Sequence, residues 1–197
     1  MNQPGSDVLR HVPNAISLVR LGMAPVLIWL TLNDASLFFF WGVVAAWLSD
    51  LLDGALARRF GWTSRLGASL DSVADVILIL VTLYAIHHFH PPVFRDHGWV
   101  LAAVLAVWAC VHASAALRYG RMASFHTRLA RIGIVLYVVF VFWLFGRGFA
   151  LWLYQLCGLV CFCAGLENLA MVWILREWRP DFQGGLLAAL AVRRASD

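Results

Sequence analysis

The sequence contains no lysine and little charge of any kind. All fifteen basic residues are arginine, and charged residues make up 13% of the 197 positions, whereas hydrophobic residues make up 62%. This composition lies far outside the range of soluble domains and excludes a soluble enzyme. The formal net charge of +4 is too small and too scattered for a nucleic-acid-binding surface, although it suits an anionic membrane face.

Cysteine is also scarce, and no segment resembles a leader or a linker. The four cysteines lie in apolar runs, which favours free thiols within helices over a disulfide framework: Cys110, Cys157, Cys161 and Cys163. The first residues lack an apolar core preceded by basic residues, so we expect no cleavable signal peptide. Without a repeat or a long linker, residues 1–197 are expected to form a single membrane domain.

Long apolar runs are what the chain has in abundance, and they predict an all-α integral membrane protein with six transmembrane helices. A run of about 20 apolar residues is enough to cross the hydrocarbon. We expect a cytosolic N-terminal segment over 1–13, a six-helix bundle over 14–176 and a cytosolic tail over 177–197, with short interfacial helices at the termini. The predicted spans are 15–32, 37–59, 71–89, 99–117, 132–145 and 150–175. The histidine-rich stretch 87–97 is expected to form a solvated loop rather than a zinc site.

The arginines predict the orientation of these spans. With the N-terminus in the cytosol, twelve of the fifteen arginines fall on the cytosolic side and two, Arg95 and Arg147, on the other. Because cytoplasmic loops are enriched in basic residues, we expect both termini to be cytosolic in a multi-pass protein of the cytoplasmic membrane.

Four aspartates interrupt the apolar pattern between the second and third spans. Asp50 and Asp53 are three residues apart, and Asp71 and Asp75 are four apart, so each pair shares a helix face. A short polar turn at 61–65 would bring both pairs to one end of a helical hairpin, on the cytosolic side. Four unpaired carboxylates cannot all stay ionised there, and two divalent cations would neutralise them.

These residues closely resemble the signature of the CDP-alcohol phosphotransferase family. The match comprises eight residue types at fixed spacings: Asp50, Asp53, Gly54, Ala57, Arg58, Gly67, Asp71 and Asp75. The opening run VPNAISLVRLGMAPV is also similar to the first helix of the phosphatidylglycerophosphate and cardiolipin synthase branch. The resemblance implies a CDP-diacylglycerol donor, Mg²⁺ or Mn²⁺, a small hydroxyl acceptor and release of CMP, and it is compatible with a homodimer.

The expected roles combine the residues with this resemblance. Carboxylate oxygens suit a pair of divalent ions, so Asp50, Asp53 and Asp71 are expected to be metal ligands. Asp75 is expected to be a ligand, the general base toward the incoming hydroxyl, or both, and the resemblance implies the base. The cytidine side of the donor is expected near three small residues and one arginine: Gly54, Ala57, Gly67 and Arg58.

Two other groups of basic residues have open interpretations. Arg20 lies inside the first span, where it is either an interfacial anchor or a phosphate contact. Five residues around the fourth and fifth spans are either membrane anchors or a site for the phosphate of an acceptor such as glycerol 3-phosphate: Arg118, Arg121, His126, Arg128 and Arg131.

Several alternatives to this reading remain open. The acceptor could instead be inositol phosphate, serine or phosphatidylglycerol. Intramembrane carboxylates also occur in ion-coupled transporters and as structural metal staples, and prenyl transfer uses aspartates on helices. Glu167 and Asn168, inside the sixth span, need polar partners, either an arginine, a neighbouring helix or substrate.

Overall fold

A computed structural model describes residues 12–60, 65–121, 127–175 and 185–194. Side chains are not described at 12–18, 50–60, 65–72, 187 and 192. The described residues form helices and contain no strand, which confirms the all-α prediction. The helices are α1 Val12–Leu32, α2 Ser36–Phe60, α3 Arg65–Phe89, α4 Pro91–Tyr119, α5 Arg128–Arg147, α6 Leu151–Ile174 and α7 Gly185–Arg194.

Among the residues that the structure describes, three helices are long and apolar enough to cross a bilayer: α4 with 29 residues, α5 with 20 and α6 with 24. Shorter apolar stretches occur in the described parts of α1, α2 and α3, at Val19–Leu32, Ser36–Ser49 and Val73–Phe89. Large apolar side chains project outward from these helices, and Trp29, Phe38 and Trp173 are each more than half exposed. Such a surface suits lipid rather than water, so the chain is a multi-pass membrane protein. The number of spans, six, stays a prediction.

The first of two compact units comprises residues 1–91. In it α1 packs against both α2 and α3. The packed face of α1 carries four residues spaced by three or four positions, all at most 6% exposed: Arg20, Ala24, Leu27 and Thr31. This spacing places the four side chains on one side of the helix, and Arg20 is the only charged member of the row. Buried residues of the partner helices include Phe39, Val43, Ala46, Ala74 and Leu78.

The second unit comprises residues 92–197, and in its described part α6 contacts α4, α5 and α7. Glycines let the backbones approach: a Cβ at Gly158 or Gly165 of α6 would collide with Val100 or Val107 of α4, respectively. Small residues at such crossings are typical of membrane helix pairs. At the end of α4, the Tyr119 hydroxyl donates toward the carbonyl oxygens of Val172 and Leu175, 2.6 and 2.8 Å away.

The predicted loop at 87–97 is wrong. Helix α3 continues to Phe89 and α4 begins at Pro91, so His90 alone separates them, and a kink follows at His97, where φ is −131°. Proline lacks a backbone N–H, and the first turn of a helix does not need one, so Pro91 and Pro92 begin the helix rather than prevent it. The histidines have their own partners, since His88 Nε2 lies 2.8 Å from Asp34 Oδ1 and the His97 ring stacks on Phe149.

Residues 185–194, which follow the sixth predicted span, form the helix α7. It packs against α6, with Ala189 fully buried beside Met171 and Leu175. The expected short C-terminal helix is thus present, and its expected position at the membrane interface stays a prediction. The expected helix in the N-terminal segment 1–11 lies outside the described residues.

Candidate active site

The four aspartates lie on two consecutive helices. Asp50 and Asp53 are in the second half of α2, and Asp71 and Asp75 are in the first half of α3. Residue 65 begins α3 only five positions after α2 ends at residue 60, so the chain can separate these helix ends by no more than about 18 Å. The helical spacing of each pair is therefore present, and both pairs lie toward the connected ends of the two helices.

Asp75 is the member of this quartet whose side chain is described. The side chains of Asp50, Asp53 and Asp71 lie outside the described part of the chain, as do the details around Gly54, Ala57, Arg58 and Gly67. The convergence of the four carboxylates on a shared cavity therefore stays a prediction.

The carboxylate of Asp75 forms an ion pair with Arg20 of α1. The Nη1 of Arg20 donates to Oδ1 of Asp75 over 3.0 Å. The two side chains differ sharply in exposure, because that of Arg20 is 0% exposed and that of Asp75 is 48% exposed. A buried guanidinium thus reaches a carboxylate that is half open to its surroundings.

The packing of α1 on α3 explains this contact. Arg20 belongs to the buried row of α1, and Ala74 and Leu78 flank Asp75 among the buried residues of α3. A charged side chain within such a face is costly unless an opposite charge meets it. The sequence predicts an interfacial anchor or a phosphate contact for Arg20, and the ion pair with Asp75 was not predicted. The available signal was the need of an intramembrane arginine for a partner, which does not by itself say which acid supplies it.

The residues expected to bind an acceptor phosphate belong to the second unit. Arg118 lies over the rings of Tyr119 and Trp173, at 5.8 and 5.6 Å from their centroids. Arg121, Arg128 and Arg131 are exposed, and His126 lies outside the described residues. Helix α5 starts at Arg128 because Thr127 caps it, its Oγ1 accepting from the N–H of Ala130 at 3.1 Å. The grouping of these four arginines and His126 into a phosphate site stays a prediction.

Glu167 has a partner on a neighbouring helix, which is one of the partners considered from the sequence. Its Oε1 accepts a hydrogen bond from the backbone N–H of Leu186, in the first turn of α7, at 3.1 Å. Within the described part of the chain, Glu167 Oε2 and Asn168 Oδ1 are buried without a hydrogen-bond partner. Glu167 therefore serves as a cap for α7 as well as a polar group inside α6.

Together, the fold and site define a helical membrane protein that carries four aspartates, in two helically spaced pairs, on two consecutive helices. The family model described as CDP-alcohol phosphatidyltransferase matches residues 10–175. The chain belongs to this family. The resemblance drawn from the eight signature residues is thereby confirmed.

Curated relatives share part of this sequence. A rice protein named CDP-diacylglycerol–glycerol-3-phosphate 3-phosphatidyltransferase 1, chloroplastic, is 37% identical over 75 residues, which are 38% of this chain and 23% of the rice protein. Human cardiolipin synthase (CMP-forming) is 41% identical over 71 residues, 36% of this chain and 24% of the human protein. A Blochmanniella floridana protein named CDP-diacylglycerol–glycerol-3-phosphate 3-phosphatidyltransferase is 36% identical over 89 residues, 41% of this chain and 44% of that protein. The similarity thus covers less than half of each of these relatives, and no solved structure matches the chain.

Proposed function

We propose that this protein transfers a phosphatidyl group from CDP-diacylglycerol to the hydroxyl of a small acceptor, with glycerol 3-phosphate favoured, and releases CMP. The observation that carries the proposal is the family match across residues 10–175, which includes the acidic signature on α2 and α3. The names of the rice and Blochmanniella relatives support this acceptor.

The reaction requires one bond to form and one to break. The acceptor oxygen attacks the phosphorus that carries the diacylglycerol, the bond from that phosphorus to the bridging oxygen of the diphosphate breaks, and CMP leaves with that oxygen. The hydroxyl proton must pass to a base. Asp75 suits this role, because its carboxylate is 48% exposed while Arg20 holds one oxygen.

The donor set suits a pair of divalent cations. Mg²⁺ and Mn²⁺ prefer oxygen ligands, and Asp50, Asp53, Asp71 and Asp75 offer only carboxylates, in pairs at helical spacing. When bound, the ions would neutralise charge on the diphosphate and lower the pKa of the incoming hydroxyl. Within this assignment, Arg58 and the small residues Gly54, Ala57 and Gly67 face the cytidine diphosphate, and Arg118, Arg121, His126, Arg128 and Arg131 take the acceptor phosphate.

The membrane arrangement is part of the proposal. Six spans with cytosolic termini would place the acidic ends of α2 and α3 at the cytosolic face, where a nucleotide-activated donor and a phosphorylated acceptor are available. The asymmetric distribution of arginine supports this orientation. A homodimer is compatible with it.

A second acceptor is favoured by a specific observation. The human relative, 41% identical over its matched stretch, is named cardiolipin synthase (CMP-forming). Phosphatidylglycerol is therefore the main competitor of glycerol 3-phosphate. Both acceptors present a primary hydroxyl on a glycerol whose other end carries a phosphate group, so the acidic site alone does not discriminate between them.

The test is CMP release from CDP-diacylglycerol by the purified protein in detergent, with Mg²⁺, Mn²⁺ or a chelator. The acceptor panel contains glycerol 3-phosphate, phosphatidylglycerol, inositol phosphate and serine. We expect release only with metal, and most rapidly with glycerol 3-phosphate. Release that is fastest with phosphatidylglycerol would reassign the acceptor, whereas no release with any alcohol would favour a transporter or a non-catalytic membrane protein.

A further inference from the structure

We propose that Arg20 is a positioning residue for Asp75. Its guanidinium holds the carboxylate of the catalytic base in place through a direct hydrogen bond. This inference rests on the proposed function, because that function makes Asp75 the general base. Arg20 itself lies outside the acidic signature. The observation behind it is the 3.0 Å hydrogen bond from Arg20 Nη1 to Asp75 Oδ1.

The two members of the ion pair differ in exposure, and this difference shows which of them can act on a substrate. Arg20 is 0% exposed and Asp75 is 48% exposed, so the guanidinium is the fixed member and the carboxylate the accessible one. A guanidinium has no acceptor atoms and keeps its charge at every pH that the protein encounters. It therefore restrains Asp75 without competing for the proton that a base must collect.

The backbone around both residues is held by packing. Arg20 shares its face of α1 with Ala24 and Leu27, which are 6% and 1% exposed, and on α3 the neighbours Ala74 and Leu78 are 2% and 5% exposed. Because α1 packs along α3, the ion pair joins two elements whose separation is already set. The bond then limits the rotation of the Asp75 side chain rather than the approach of the helices.

Measurements of kcat, KM and the unfolding temperature distinguish positioning from two other roles of Arg20. A residue that binds substrate phosphate raises KM when it is removed, and a residue that only stabilises the fold lowers the unfolding temperature. Loss of positioning lowers kcat, since a displacement of about 1 Å at a reacting group costs about 10²-fold in rate. Arg20→Met removes the buried member of the pair and leaves Asp75, whose side chain is 48% exposed, so no unpaired charge stays buried and the unfolding temperature is expected to be kept.

The experiment compares Arg20→Met, Arg20→Lys, Asp75→Asn and the double variant Arg20→Met/Asp75→Asn. We expect Arg20→Met to lower kcat about 30-fold or more while each KM stays within about threefold of the wild-type value and the unfolding temperature is kept. Arg20→Lys should recover part of the loss, because an ammonium can still donate to Oδ1. The double variant should be no slower than Asp75→Asn, because Arg20 then has no base left to position.

A matched control is available in Thr82→Val. Thr82 is 0% exposed on the same helix as Asp75, and its hydroxyl donates to the carbonyl of Leu78 at 2.7 Å. This substitution also removes a buried polar group from α3, but its contact is confined to its own helix. We expect its kcat to stay within about twofold of wild type, since the hydrogen bond replaced there is local.

Three outcomes would overturn the positioning role. The first is a KM for either substrate that rises more than about tenfold in Arg20→Met at an unchanged kcat, which would make Arg20 a phosphate contact. The second is a loss in the double variant equal to the product of the single losses, which would make the residues independent. The third is wild-type kcat in Arg20→Met. If Arg20→Met does not fold, Arg20→Lys carries the same comparison of kcat with KM. Each outcome differs from failure of the proposed function, in which the wild-type protein itself releases no CMP.

Discussion

The carboxylate of Glu167 caps the helix that begins near Leu186, with Oε1 of Glu167 3.1 Å from the backbone nitrogen of Leu186. The acid lies inside the apolar helix α6, and the amide lies in the first turn of α7. The first N–H groups of a helix have no partner within it, and a negative charge near them is favourable. One intramembrane acid thus anchors the C-terminal helix.

Replacing Glu167 with alanine should release α7 from α6. We expect the free energy of unfolding to fall by about 1–2 kcal/mol, because a helix cap and a buried hydrogen bond disappear together. Hydrogen exchange of the amides in 186–190 should accelerate. Glu167→Gln is the control, since it retains an acceptor oxygen and should lose less. Unchanged exchange in the alanine variant would show that the cap does not hold the helix.

A second prediction concerns Gly185, which has φ +62°, and where a Cβ would collide with Oε1 of Glu167. Gly185→Ala should lower the unfolding temperature more than Gly120→Ala. Gly120 has φ +65° with open space around it, so its substitution isolates the backbone strain, about 1–2 kcal/mol. Equal effects at the two positions would mean that the approach of Glu167 contributes nothing.

The crossing of α4 and α6 gives a third prediction. A Cβ at Gly165 would collide with Cγ1 of Val107, so Gly165→Ala should separate the helices and destabilise the unit by about 1–3 kcal/mol. The double variant Gly165→Ala/Val107→Ala should recover part of this loss. Gly146→Ala, where nothing lies within 4 Å, is the matched control. Thermal unfolding in detergent measures all three, and a destabilised control would point to a general effect of alanine.

A fourth prediction separates the acids by role. Asp75→Asn should lower turnover about 10²-fold or more, because the amide cannot accept the hydroxyl proton, while most of the affinity for Mn²⁺ is retained. Asp50→Asn should instead weaken Mn²⁺ binding. Titration with Mn²⁺ monitored by electron paramagnetic resonance, together with CMP release, measures the two effects. Equal activity of wild type and Asp75→Asn would remove the assignment of the base.

Much of the fold was accessible from periodicity and composition. Every described predicted span is helical, because a long apolar run has few other ways to satisfy its backbone in lipid. The fifth helix starts at Arg128 rather than near residue 132, since Thr127 supplies a cap. The prediction for 87–97 was wrong because proline and histidine are typical of loops, whereas Pro91 and Pro92 lie in the first turn of α4, where a missing N–H costs no intrahelical hydrogen bond.

The sequence by itself determined that this protein belongs in a membrane and that its aspartates come in helical pairs, since composition and local spacing decide both. Only the tertiary structure decided that Arg20 meets Asp75 and that Glu167 meets Leu186. These partners are 55 and 19 residues apart in the chain, and which groups meet over such separations depends on how the helices pack. A buried charged group needs a polar partner, and the packing of the helices determines which residue that partner is.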